Sequence, residues 1–189
     1  MIRAYSAMLF FTIAASRPAA AQAIPDGIVA HGTLSFDADA TLGAFTGVTH
    51  DMTGELRGAS ALGGVRGWVE AKTATLTTKN GHRDRDMAKS LDLPQYPTMR
   101  FTVDSLTPGQ RHGDSTAVTV HGRFTIHGTT KPAIIDGWVA VTSDSARFHG
   151  STPMDVKDYG VGHLSKALGI FKMNEHITVH IDVTFAPHH

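Results

Sequence analysis

Apolar residues recur at every second position along most of the chain, the spacing of strands that bury one face and wet the other. The last segment shows it best: Ile177, Val179, Ile181, Val183 and Phe185 alternate with Thr178, His180, Asp182 and Thr184. Val118, Val120, Gly122, Phe124 and Ile126 alternate in the same way with Thr119, His121, Arg123, Thr125 and His127, and Met99, Phe101 and Val103 with Arg100, Thr102 and Asp104. Weaker alternation over 30–37, 41–48, 50–58, 64–78, 132–143 and 146–156, punctuated by Gly, Asp, Ser and Pro clusters, brings the expectation to about eight or nine strands. Two short stretches read as helix instead: 81–91, with Asn80 as N-cap and Pro94 beyond its end, and 163–169.

So many antiparallel strands in one domain must hide their edges, and closing the sheet on itself removes edges altogether. The expected fold is therefore all-β, an antiparallel β-barrel of about eight strands with short helices between some of them. Its inward positions include Phe45, Val69, Phe101, Val120, Phe124, Val139, Ile181 and Val183. A barrel of this size either fills its interior with side chains or holds one ligand there, and these residues make any such ligand apolar. Alternation does not say which of the two applies.

The 189 residues suffice for one domain with a substantial core. Met1-Ile2-Arg3, the mostly apolar Ala4 to Ala15 and the small residues Ala19 to Ala23 read as a signal peptide over 1–23, leaving 24–189 as the barrel of an exported protein. Arg17-Pro18 interrupts that leader, so retention as an anchor is the alternative to cleavage, although the apolar run falls short of the ~20 residues that span a bilayer.

Seventeen Lys and Arg balance seventeen Asp and Glu, so no basic field would draw a nucleic acid. There is no cysteine, which removes disulfides, thiolate metal sites and Cys nucleophiles together. The histidines do not converge: His121 and His127 share a strand face but lie about 20 Å apart along it, too far to hold one ion. No metal or other cofactor is expected. Nor does a Gly-x-Ser-x-Gly elbow or comparable nucleophile motif occur, so the expectation is a binding protein rather than an enzyme.

Several runs together resemble the YceI-like family: LSFDADATLGAFTGVTHDMTGELRG (34–58), KTATLTTKNGHRDRDM (72–87), QYPTMRFTVDSL (95–106), VTVHGRFTIHGTTKP (118–132), KDYGVG (157–162) and ITVHIDVTF (177–185). The resemblance implies a periplasmic protein with a lipocalin-like barrel that binds a long-chain apolar lipid such as a polyisoprenoid, a quinone-like molecule or a fatty-acyl chain. One position departs from the family, which often carries Arg two residues before the Asp of an Asp-aromatic-Gly element. Here that position is Val156, ahead of Asp158, Tyr159 and Gly160, so a polar contact from that Arg is not carried over.

Arg83 and Asp84 fall where the family has a recurring Arg-Asp pair. One reading makes Arg83 a gatepost for a lipid headgroup, because guanidinium binds phosphate bidentately. The plainer one, preferred here, makes the pair part of a solvated cap, with Met87 and Leu91 four residues apart on the helix face that plugs the barrel. Trp68 and Trp138 share strand parity with charged residues and are expected to face outward, unless a bulge at Gly67 or Gly137 reverses them. The run holding Leu164, Leu168, Ile170 and Phe171 reads as a loop packed over the barrel end or as a lid. An alternative to the lipid carrier is an accessory subunit docking on a membrane-protein complex from the periplasmic side through the two tryptophans. Oligomeric state is not legible.

Overall fold

The computed structural model describes residues 23–40, 43–161 and 173–187. The expected leader, the expected helix over 163–169 and the run from Leu164 to Phe171 lie outside the described residues. Among the described residues there are nine strands: β1 (Gly27–Ala40), β2 (Gly43–Thr49), β3 (Met52–Arg57), β4 (Arg66–Lys72), β5 (Thr98–His112), β6 (Ser115–Ile126), β7 (Thr129–Val141), β8 (Ala146–Asp155) and β9 (Met173–Ala186). An α-helix, α1 (Gly81–Ser90), joins β4 to β5, and single 3-10 turns occupy Leu62–Gly64, Thr73–Thr75 and Val156–Tyr159.

All pairings are antiparallel, and β1 closes the sheet. Along one side it meets β9, from Ile28 opposite Ala186 to Ala40 opposite Met173. Along the other it meets β2 through Leu34 to Ala40 and β3 through Gly27 and Ile28. Because β2 and β3 run end to end beside β1, the nine strands occupy eight places around a closed, lipocalin-like barrel. Closure removes the edges that such a sheet would otherwise expose, except on the far side of β2, which the described residues meet only through the isolated bridge of Val48 to Thr77.

Parity decides what faces inward, as the alternation requires. Val69 lies opposite Phe101, Phe101 opposite Phe124, and Val120 opposite Ile135, and all five are buried. Their outward neighbours are Trp68, Arg100, Thr102, Arg123, Thr119 and Asp136. The β6–β7 hairpin turns in two residues, His127 and Gly128, with φ of 50° and 72°. That is the left-handed pair of a type I′ turn, whose twist matches the strands it joins.

Two strand boundaries differ most from the sequence expectation. The alternating run 64–78 is strand only over Arg66–Lys72, because Thr73–Thr75 tightens into a 3-10 turn whose Thr73 amide donates to the Pro97 carbonyl. Conversely, β5 continues well past Val103 to His112, through a Thr-Pro-Gly triplet that reads as a turn. Register shifts between Val103 and Ser105 and between Pro108 and Arg111 carry the ladder past residues that would otherwise end it.

Candidate functional site

The two ends of the barrel are chemically unlike. One end, where α1 and the turns at 73–75 and 156–159 sit, is lined with hydroxyls. Thr49, Thr73, Thr78 and Thr152 are all buried there, and Thr49 shares a 2.6 Å hydrogen bond with Thr75. The other end is closed by Ile24, Leu62 and Val65, and between these and the middle of the barrel lies a cavity of about 60 Å³. Leu56, Leu106, Ile135, Phe148 and Phe185 contribute to its wall. Arg147 is the sole charged residue along it, and its guanidinium is turned outward onto Asp182.

Of the residues expected to line the interior, Val69, Phe101, Val120, Val139, Ile181 and Val183 border this cavity. Phe124 is buried but one layer nearer the helix end, its ring 4.6 Å from that of Phe101. Phe45 must be corrected. It has inward parity, opposite Ala38, but β2 carries it beyond the cavity to the rim, where its ring meets Phe36 edge-on and lies beneath Arg83. Parity gives the side of a wall, not the depth. The wall residues that sequence reasoning missed were masked in different ways: Ile134 and Ile135 are consecutive and apolar, and Ile24 precedes the first strand.

Arg83 and Asp84 are brought together at the helix end, away from the cavity. The Asn80 side chain caps α1 by accepting from the amides of His82 and Arg83. Asp84, in the first helical turn, accepts from the Thr77 hydroxyl at 2.8 Å and from both the amide and the hydroxyl of Thr78. Arg83 Nε donates to Thr78 Oγ1 at 2.9 Å, and its guanidinium carbon stands 3.9 Å from the Phe45 ring centroid. The pair therefore pins α1 to the segment entering it. Trp68 and Trp138 stand on the outer face; Arg100 covers the Trp68 ring at 3.8 Å, and Trp138 meets His112 edge-on.

The Asp84 carboxyl is held below its ordinary value. Partial burial works to raise it, but the hydrogen bonds from Thr78 and Thr77 and the Arg83 charge outweigh burial. A depressed carboxylate contributes stability that is fully present above its unfolded value, near 3.8, and is lost as pH falls through the folded one. Asp84→Asn should thus lower stability by about 1–2 kcal/mol at neutral pH, a figure reduced for solvent screening. In urea titrations the gap between wild type and variant should begin to narrow below about pH 4 and close as pH falls through the depressed folded value; a gap that does not narrow with acidification would mean that the charge is not what holds the helix.

A family model for the YceI-like domain matches residues 28–185, nearly all of the barrel just described. The chain belongs to the YceI-like family. It is 32% identical over 104 residues to a UPF0312 protein of Pseudomonas savastanoi pv. phaseolicola, a match covering 49% of this chain and 50% of that protein. The chain spans about half the length of the curated relatives it matches. Among solved structures, BcnA of Burkholderia cenocepacia superposes with a TM-score of 0.67 at 15% identity, over 81% of this chain and 95% of the other. A polyisoprenoid binding domain from Saccharophagus degradans, implicated in plant cell wall breakdown, gives 0.70 at 13% identity, over 87% and 99%. At these identities the likeness is one of fold. Within the YceI-like pattern, the departure at Val156 has a structural counterpart: the side chain is buried and joins the apolar core rather than presenting a charge to the interior.

Proposed function

We propose that this YceI-like protein is a periplasmic carrier that holds a long-chain apolar lipid, of the polyisoprenoid, quinone or fatty-acyl class, inside the barrel. The observation that carries this reading is the closed barrel whose interior wall is apolar from Ile24 and Val65 to Phe101, with hydroxyls confined to the helix end. Burial alone would supply the affinity, at about 0.8 kcal/mol for each methylene removed from water. The cavity of about 60 Å³ is far below the ~300 Å³ at which small-molecule sites begin, so loading must displace side chains of the core. Phe101, Phe148 and Phe185 are the phenyl rings on its wall and so the largest groups that a loading chain would meet. No residue is assigned a catalytic role.

Native mass spectrometry of protein purified from its own envelope, set beside the organic extract of the same sample, tests the carrier. A stoichiometric long-chain lipid in both is the expected result. Protein that is empty in every preparation and takes up neither farnesol nor palmitate would sink it. The small cavity favours one other reading, an accessory subunit docking on a membrane-protein complex, and an empty protein co-purifying with such a complex would be its signature.

A further inference from the structure

Two neighbouring rows of outward residues cross the wall of the barrel from β1 through β9, β8, β7 and β6. In the first, Ser35, His180, Ser151, Asp136, Thr119 and Thr107 stand each directly opposite the next, the last of them on β5. In the second, Thr33, Asp182, His149, Trp138 and Ala117 do the same. The inward partners of these positions, among them Val120, Ile135 and Ile181, belong to the core, so both rows face away from any lipid inside. Together they line an open groove of about 740 Å³, within the ~300–1,000 Å³ range of small-molecule sites.

The chemistry of this groove is selective. Among the described residues no lysine or arginine lines it. Arg147, the nearest ion-pair partner, spends Nε and Nη2 on the two oxygens of Asp182, at 3.0 and 2.7 Å, and holds that carboxyl below its ordinary value. Phosphate and nucleic-acid ligands need free cations, and there are none here to meet them. The floor is mixed: Pro108, Ala117, Val118, Ile181 and the Trp138 indole give it apolar surface, interrupted by hydroxyls, imidazoles and carboxylates, so it lacks the continuous apolar track that an acyl chain needs. What the groove offers is a mixture of acceptors and donor-acceptors beside one flat aromatic ring. Asp136, which lines the groove, is oriented by the Thr119 hydroxyl, which donates to Oδ1 at 2.7 Å and leaves Oδ2 without a hydrogen-bond partner among the described residues. Ser35, Ser151 and His149 can each give or take a hydrogen bond.

A vicinal diol matches that inventory, since its hydroxyls donate to a carboxylate while accepting from serine or imidazole, and the C–H face of a sugar ring suits an indole with an apolar body and a polar edge. We infer that the outer groove spanning β5 to β9 and β1 binds a neutral oligosaccharide, with Trp138 as its stacking platform and Asp136 as its principal acceptor. The site is independent of whatever the interior carries.

Because the chain has two tryptophans, Trp68→Phe leaves Trp138 as the only indole. That protein should be titrated with cellohexaose, maltohexaose and chitohexaose, following Trp138 emission and, in parallel, heat by calorimetry. Saturable binding of at least one sugar is expected, weakened about tenfold or more by Trp138→Ala and by Asp136→Asn, and nearly unchanged when salt is raised from about 50 to 500 mM. Asp136→Asn keeps an acceptor for Thr119, so its loss of affinity should come with an unchanged melting temperature. No saturable response to any of the three sugars at about 10 mM overturns the inference, as does binding that collapses with salt or survives both substitutions.

Discussion

Truncating Phe101 to alanine is expected to lower the stability of the empty barrel by about 3–5 kcal/mol and to make much of that loss recoverable by a long-chain ligand. The ring is buried between β4 and β6, packs on Phe124 at 4.6 Å and borders the cavity. Removing it adds its own volume to the existing void, whose lining cannot fully collapse onto the gap because the closed ladder fixes the strands. Under the proposed carrier function the wild-type barrel has to displace such a ring to load a lipid; the variant has done so in advance. Urea unfolding with and without farnesol separates the two contributions. A ligand at a hundred times its dissociation constant adds about 2.7 kcal/mol, and the gain at a fixed farnesol concentration should be larger for the variant than for wild type. Equal gains, or none, would mean that the space beside Phe101 is not where the chain enters.

The barrel was legible in the sequence because alternation and edge avoidance are local and additive. Ile177 to Phe185 reads as a strand whatever surrounds it, and the structure places Val179, Ile181, Val183 and Phe185 in the core. What alternation lacks is depth. Phe45 and Phe101 share inward parity, yet one sits at the rim beneath Arg83 and the other on the cavity wall, a difference set by where each strand starts in the closed ladder. The same limitation explains the charge cluster. Residues Arg83 and Asp84 could be placed on a short helix from sequence, but not at the hydroxyl-rich end, opposite the cavity. That placement depends on the number of strands intervening between β4 and the closure at β1. The extension of β5 through Pro108 was hidden for another reason: Pro108 stays opposite Val118, and the bulge that follows sets Gly109 and Gln110 of β5 against Ala117 alone, a mismatch visible only once the partner strand is known.

Glycines on the inner face are the other feature invisible to hydrophobic patterning, and two of them should respond differently to the same substitution. A Cβ at Gly137 would collide with the His149 carbonyl oxygen of the neighbouring strand, and would lie 2.8 Å from the Gly150 Cα and 2.9 Å from Phe148 Cε2. A Cβ at Gly47 would collide with the Phe36 ring, to which its three nearest atoms all belong. Each glycine costs the strand roughly 0.5–1 kcal/mol in backbone entropy relative to alanine, so a substitution that the fold could absorb would be stabilising. Both Gly137→Ala and Gly47→Ala are instead expected to destabilise, Gly137→Ala by about 3 kcal/mol, the upper part of the range for overpacking, because backbone cannot rotate away. The distinction shows in the second substitution. Phe36→Leu shortens the group nearest to a Cβ at Gly47, so the Gly47→Ala/Phe36→Leu pair should recover stability against the sum of the singles, with a coupling of about 1–2 kcal/mol. Phe148→Leu removes the ring at Gly137 but leaves the carbonyl, and its pair with Gly137→Ala should stay close to additive. Thermal unfolding of the six proteins and wild type decides it. Rescue at Gly137 as large as at Gly47 would mean that β7 and β8 are spaced to seat the Phe148 ring rather than to let two strands approach.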